Sequence, residues 1–332
     1  MAILIGTDEA GYGPNFGPLL IAATAWRLPE PLDGEALYER LSSVISPTMR
    51  GAADRVVIGD SKRVYKSGGD WRHLERAVFS MLDVAARSGE ATNANGRIAS
   101  WRDLWRHLSS ESISCFDQTP WYADFDMPLP TCATADELTS LTESLDRCFS
   151  ETEIRPVAIT ARAIFPAEFN RLLAHYGSKG VLLSTETLML ARSLLDRLDS
   201  SDDSQSTTVI CDKHGGRDRY SGLLMSTLDG SFPEAYEEGR QRSRYTIDYG
   251  GRPIEFRFQM KGESEMPVAL ASLVAKYLRE TAMRALNAFW CERIPGLEPT
   301  AGYPQDAKRY WVEIESHAAD AGIDRAMLWR EK

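Results

Sequence analysis

The sequence predicts an α/β protein, a β-sheet flanked by helices with further segments inserted. Two short apolar runs, at 3–7 and 207–211, each stop at an aspartate, as strands do where they leave a sheet. A long apolar-faced segment over 265–289 has helical spacing, and strand-like and helix-like segments are mixed along the chain.

In chain order, the first run ends on Asp8 and is followed by a bend containing Gly11, Gly13, Pro14, Gly17 and Pro18. A second apolar run extends from Leu19 to Trp26, so the pair reads as a hairpin with a long connection. Val56, Val57 and Ile58 lead into Gly59-Asp60-Ser61-Lys62. Leu74, Val78, Met81 and Leu82 share one face of a helix predicted over 71–86. From about 88 to 150 no period persists, so an inserted subdomain or elaborated loops are expected, punctuated by Trp101, Trp105, Trp121 and Tyr122. A strand is predicted at 156–161, helices near 166–175 and 185–199, and a surface loop over the polar run 200–206. The strand 207–211 ends on Asp212, and alternation over Ile254–Phe258 predicts another strand.

Composition excludes several classes of function. No run reaches the ~18–20 apolar residues that cross a bilayer, so no membrane association is expected. The N-terminus lacks the basic start and apolar stretch of a signal peptide, which predicts a cytoplasmic protein. Five cysteines without CxxC spacing predict reduced thiols rather than disulfides or a zinc site. A net charge of −10 argues against a protein that coats nucleic acid by bulk charge. It is compatible with a carboxylate metal site beside a local basic strip. No organic cofactor is expected, and a monomer is the default.

Asp8 and Asp212 lie at strand ends, where ligands and metals commonly bind in open α/β sheets, and Glu9 follows Asp8. A single aspartate in such a place is ordinarily a turn former. On the long helix, Ser272, Lys276 and Glu280 fall at i, i+4 and i+8 and form a polar stripe. That stripe fits a solvated Lys–Glu pair, which stabilises a helix by only ~0.2–0.5 kcal/mol. On helix geometry alone that reading is preferred; the small residues Ala269, Ala271, Ser272 and Ala275 suggest instead a helix packed closely, as onto a sheet carrying the two aspartates. In that case Asp8, Glu9, Asp212 and Glu280 converge as hard oxygen ligands for Mg²⁺ or Mn²⁺. Two such ions ~3.5–4 Å apart can activate water and stabilise the leaving oxygen of a phosphodiester. The five histidines show no ligand spacing; His214, two residues beyond Asp212, is an accessory candidate or part of the loop.

Several segments resemble type 2 ribonuclease H enzymes, with some features closer to type 3. Gly6-Thr7-Asp8-Glu9-Ala10-Gly11-Tyr12-Gly13-Pro14 and Phe16-Gly17-Pro18-Leu19 are similar to the family's opening motif. Gly59-Asp60-Ser61-Lys62 resembles its Asp-Ser-Lys segment, and the run from Ile164 to Leu172 resembles the region before one of its helices. Val209-Ile210-Cys211-Asp212 is similar to its central acidic strand. Lys261-Gly262-Glu263, then Ala271-Ser272-Leu273-Val274-Ala275-Lys276 with Arg279-Glu280, resemble its Lys-Gly-Asp and its Ala-Ser-x-x-Ala-Lys helix. Gly302-Tyr303-Pro304 is similar to a late Gly-Tyr-Pro. The parts stand in the family's order and span most of the chain, which gives them weight that no single short motif has.

The resemblance implies a ribonuclease H-like mixed sheet flanked by helices over 1–87 and 151–332, with 88–150 an insertion. It implies two-metal hydrolysis of the RNA strand of RNA–DNA hybrids, leaving 5′-phosphate and 3′-hydroxyl ends. Asp8, Glu9, Asp212 and Glu280 take the four acid places, with glutamate at the last as in type 3. Gly11 and Gly13 would let backbone amides approach the nucleic acid, with Tyr12 between them. Ser61 and Lys62 would contact phosphates, Lys276 would lie beside the acids, and Tyr303 would stack near the ribose. Three features depart from the pattern. Tyr12 stands where type 2 enzymes carry arginine, so recognition of a single embedded ribonucleotide is not implied. The segment 88–150 has no counterpart. The stretch from Asp212 to Glu280 is long and opens with Lys213-His214-Gly215-Gly216-Arg217-Asp218-Arg219-Tyr220. That stretch is either a flexible loop with ordinary charges or a phosphate-contacting loop that replaces the missing arginine. Two other functions stay open: a nuclease of this fold with a different substrate, and a non-catalytic nucleic-acid binder.

Overall fold

The computed structural model describes residues 1–66, 68–88, 98–109, 114–198, 206–229 and 232–331. Its strands are β1 (Ala2–Ala10), β2 (Leu19–Leu28), the two-residue β3 (Ile45–Ser46) and β4 (Val56–Val57), then β5 (Arg155–Ile164) and β6 (Ser206–Asp212). They continue with β7 (Glu234–Glu238), β8 (Arg242–Tyr249) and β9 (Arg252–Gln259). Seven strands form one mixed sheet in the order β5-β2-β1-β6-β9-β8-β7, while β3 and β4 pair separately. A mixed sheet flanked by helices is the class the sequence predicts.

The register places the acidic strand ends together. β1 and β2 form the expected antiparallel hairpin, with Ala2 opposite Leu28 and Ala10 opposite Leu20. β6 lies on the other side of β1 and runs parallel to it, Thr7 opposite Cys211. One step further, Asp8 and Asp212 stand level on strands that are ~4.8 Å apart. β8 and β9 extend the sheet as an antiparallel pair. The sequence reading left β8 unassigned, although Ser243, Tyr245 and Ile247 are buried with the two-residue period of a strand.

Both faces of the sheet are covered. Alternation along β1 sends Ala2 and Leu4 into one cluster with the long helix Met266–Arg293 and the helix Arg72–Ser88. It sends Ile3 and Ile5 into a second cluster with the helix Lys179–Arg197. Gly6 sets how closely the long helix approaches. A Cβ there would lie 2.4 Å from the Pro267 carbonyl carbon and the Val268 nitrogen, so any side chain would push helix and strand apart. The helix expected near 185–199 begins earlier, at Lys179, with Ser178 as N-cap accepting from the Val181 N–H. Of the polar run 200–206, residues 200–205 lie outside the described residues.

The segment expected to be irregular is largely helical where it is described, at Trp101–Leu108, Ser114–Asp117, Pro120–Ala123 and Ala135–Thr152. Trp101, Trp105, Trp121 and Tyr122 are no more than 2% exposed and join the cluster under the long helix. Trp101 stacks on Tyr122 with ring centroids 5.6 Å apart. The first three, of eight, four and four residues, cannot show a sustained period, which is why the pattern around the tryptophans was illegible. The last, Ala135–Thr152, had a readable start, because Thr134 and Glu137 form a capping box. Among the described residues, no helix is long and apolar enough to cross a membrane.

Candidate active site

The ends of β1 and β6 bring three carboxyls together. Burial pushes Asp8 well above the usual carboxylate range, and the charges of Glu9 and Asp212 push it further. A hydrogen bond with the Ser272 hydroxyl offsets part of this. Glu9 is raised to about 7, first by burial and then by Asp212. Burial also raises Asp212, against which the Gly262 N–H donates to its Oδ1 at 2.7 Å. Lys62 pulls both Glu9 and Asp212 back down, so one cation faces the acids. Three desolvated carboxyls that repel one another are stable only if protons or a cation neutralise them. Among the described residues, no three or more His, Cys, Asp or Glu side chains stand close enough together to form a ready-made metal site.

A fourth carboxylate comes from a position the sequence reading did not choose. Glu263 adds its charge to that felt by Asp212. The turn holding it is packed onto the acid, since a Cβ on Gly262 would lie 3.1 Å from the Asp212 Cα. The signal was present in Lys261-Gly262-Glu263, but helical phase favoured Glu280. Glu280 is placed elsewhere. Ser272 is the helix residue that reaches Asp8, and Glu280 lies eight residues on, ~12 Å along the axis at ~1.5 Å per residue. Glu280 pairs with Lys276 at 2.8 Å and accepts from the Tyr65 hydroxyl at 3.2 Å. Its charge is not among the largest influences on Asp8, Glu9 and Asp212. Beside Glu280 opens a cleft of about 810 Å³ lined in part by Tyr65, Trp71, Arg284 and Thr300.

The remaining expected residues divide in the same way. Ser61 Oγ lies 3.0 Å from Ser272 Oγ, so Ser61 and Lys62 flank the acids. Lys276 lies over the Tyr65 ring, 5.4 Å from its centroid, in the Glu280 group. Tyr303 is exposed, with the Arg279 guanidinium 5.9 Å from its ring centroid. Gly11 has φ +86°, and a Cβ there would lie 2.6 Å from Arg279 Nε, so Arg279 packing already demands glycine. Gly13 faces open space. The Tyr12 phenol is raised above its usual range by burial and by the charge of Glu9, against which Arg217 pulls it down.

Arg330 was not anticipated. It is buried and donates to the carbonyls of Gly11 and Pro14, while its N–H donates to the Asn15 carbonyl at 2.8 Å. Asn15 returns a bond to the Arg330 carbonyl, and the Gly302 carbonyl accepts from Asn15 N–H at 2.7 Å. The connection between β1 and β2 is thus anchored by the far end of the chain, which local sequence cannot reveal. His214 is not an accessory. It is buried with Nδ1 3.0 Å from Ser184 Oγ, and burial draws its pKa down to about 3, so it stays neutral.

No family model matches the chain, and no curated protein matches it. Solved structures do. The ribonuclease H2 from Pyrococcus horikoshii OT3 aligns with 14% identity and a TM-score of 0.42, over 98% of this chain and 92% of that one. The RNase HII of the PCNA:RNase HII complex from Archaeoglobus fulgidus aligns with 13% identity and a TM-score of 0.41, over 99% and 94%. Bst-RNase HIII in complex with Mn²⁺ aligns with 14% identity and a TM-score of 0.41, over 99% and 66%. At scores below 0.5 these likenesses carry no part of the functional argument, which rests on the residues.

Proposed function

We propose that this chain is a divalent-metal-dependent endoribonuclease that cuts the RNA strand of RNA–DNA hybrids, leaving 5′-phosphate and 3′-hydroxyl ends. The observation that carries the proposal is the trio Asp8, Glu9 and Asp212, desolvated and mutually repelling at two adjacent strand ends. An all-oxygen donor set of this charge fits Mg²⁺ or Mn²⁺ and does not fit a softer metal. Asp8, Glu9, Asp212 and Glu263 would hold the metal. Bound there, it supplies activation of water and stabilisation of the leaving oxygen. The ordered motifs that resemble type 2 and type 3 ribonucleases H direct the choice of substrate.

The chain's own groups have separate tasks. Lys62 Nζ, close to Glu9 and Asp212, receives a phosphate oxygen that the bare acids would repel. The hydroxyls of Ser61 and Ser272 keep Asp8 oriented toward the strand ends. Gly13 leaves open space through which a sugar–phosphate backbone can approach. The test is cleavage of end-labelled RNA–DNA hybrid, duplex DNA with one ribonucleotide, double-stranded RNA and single-stranded RNA, each with Mg²⁺, Mn²⁺ or EDTA. Metal-dependent cutting of the hybrid, absent with EDTA, is expected. No cutting of any substrate with either metal would remove the proposal.

A further inference from the structure

We infer that Arg217 grips a phosphodiester of the substrate beside the acid pocket, with the Tyr12 hydroxyl as its second donor. This rests on the nuclease reading above and names a residue which that reading leaves without a task. Four basic or potentially basic side chains open the stretch after Asp212, and the structure assigns them four different situations.

Two of them build the loop. Lys213 is buried, and its Nζ donates to the Arg217 carbonyl at 3.0 Å, to Asp218 Oδ1 at 3.1 Å and to Ser243 Oγ at 3.2 Å. Its three protons are fully committed. His214 is the neutral, buried ring already described. The third, Arg219, is 86% exposed at its side chain and pairs with Glu238 at 3.5 Å. A pair that exposed contributes little and is open to water on most sides.

Arg217 differs from all three. It is only partly exposed, yet among the described residues its guanidinium has neither an acid nor another acceptor, and its Nε is buried without a partner. A half-exposed guanidinium whose Nε is buried without an acceptor has donors that an incoming anion can satisfy. Its place is set by the backbone. Gly215 and Gly216 have φ +61° and +77°, so two successive left-handed residues reverse the chain. The Arg217 N–H then closes on the His214 carbonyl at 3.2 Å. A Cβ on Gly215 would lie 3.8 Å from the Tyr12 hydroxyl, so the reversal brings the loop over Tyr12. Tyr12 in turn feels the charges of both Glu9 and Arg217.

An arginine fork matches the paired oxygens of a phosphodiester, and a protonated phenol beside it supplies one more donor. The arrangement offers the anion cationic and neutral donors at the rim of a pocket whose carboxylates repel it. Arg217 acts in binding and not in bond cleavage, so its loss is read in affinity.

The experiment compares the full chain with Arg217→Ala, Arg217→Lys and Arg219→Ala. Readouts are KM and kcat on the hybrid over a series of salt concentrations, and hybrid affinity by fluorescence anisotropy with Ca²⁺ in place of Mg²⁺. Arg217→Ala is expected to raise KM and Kd about tenfold, leave kcat within about threefold, and flatten the log–log salt slope by about one unit. Arg217→Lys should recover part of the affinity, and Arg219→Ala should behave as the unaltered chain. The melting temperature of Arg217→Ala should stay level, because no side-chain contact of the fold is lost. Unchanged KM and salt slope in Arg217→Ala, or an equal loss in Arg219→Ala, would overturn the assignment alone. If the unaltered chain neither cuts nor binds the hybrid, the nuclease reading falls and this inference with it.

Discussion

Glu75, which is buried, and the trio Asp8, Glu9 and Asp212, which is half-buried, are both carboxyl sites touched by the long helix, yet their surroundings differ in kind. Glu75 is 0% exposed and accepts from five donors: the N–H groups of Thr131, Cys132 and Ala133 and the hydroxyls of Thr131 and Tyr277. Its lone pairs are filled by the fold, so it fastens the turn at 131–133 to two helices. The trio has few donors and faces its own kind. Such a site is a liability in the fold while its carboxyls are charged and becomes favourable when protons or a cation neutralise it. Carboxyl burial alone therefore does not mark function; burial without donors does.

That contrast can be broken by experiment. Asp8→Asn removes a proposed ligand and a repulsion together. Hydrolysis of the hybrid should fall by about 10³-fold, on the order of 4 kcal/mol of barrier. Its metal-free melting temperature at pH 8 should hold or rise, and a large fall would place Asp8 with Glu75 as a structural acid. Glu75→Gln turns one acceptor into a donor that faces other donors. It should cost about 3 kcal/mol in denaturant unfolding while the specific activity of the folded fraction stays within about threefold.

The next test separates the two candidates for the fourth carboxylate. Glu263→Gln is expected to lower kcat by about 10²-fold and to raise the metal concentration needed for half-maximal rate. Glu280→Gln, whose partners are Lys276 and Tyr65, should leave the metal requirement unchanged and lower kcat less than about threefold. The opposite pattern would return the fourth ligand to the helix.

The smallest expected effect is thermodynamic. Glu9 has a folded pKa raised from 4.5 to about 7. A carboxyl raised in the fold contributes stability that is fully present below about 4.5 and is lost as pH rises through about 7. Asp8 and Asp212 shift in the same direction and add to it. The metal-free chain should lose on the order of 2 kcal/mol across that window. Mg²⁺ or Mn²⁺ should restore most of it near pH 7.5, and Glu9→Gln should flatten the profile. A thermal-melt series that stays flat in both the metal-free chain and Glu9→Gln would mean that the trio is not coupled.

Particular elements show what was legible. Strands carrying their own signal, such as Ile3 to Asp8 and Val209 to Asp212, and the helix around Ser272, were read close to their observed limits. The strand ends that bring Asp8, Glu9 and Asp212 together were read from the same signals. The aromatic segment was not, because Trp101, Trp105, Trp121 and Tyr122 sit on helices too short to show a period. Glu263 was passed over because helical phase pointed at Glu280. Only the packing of Gly262 on Asp212 reveals which of the two is near. Arg330 had no local signal at all.

By itself the sequence determined the class of fold, the strand ends that carry Asp8, Glu9 and Asp212, and the hard-oxygen character of the donor set. These follow from local periodicity and side-chain chemistry, which a window of a few residues contains. The tertiary structure alone decided which further carboxylate joins the trio, which of Lys213, His214, Arg217 and Arg219 remains available to a ligand, and what anchors the connection between β1 and β2. Each depends on distances between residues far apart in the chain. Those distances are set by sheet register and by the close approach of the long helix over Gly6, and no local pattern encodes either.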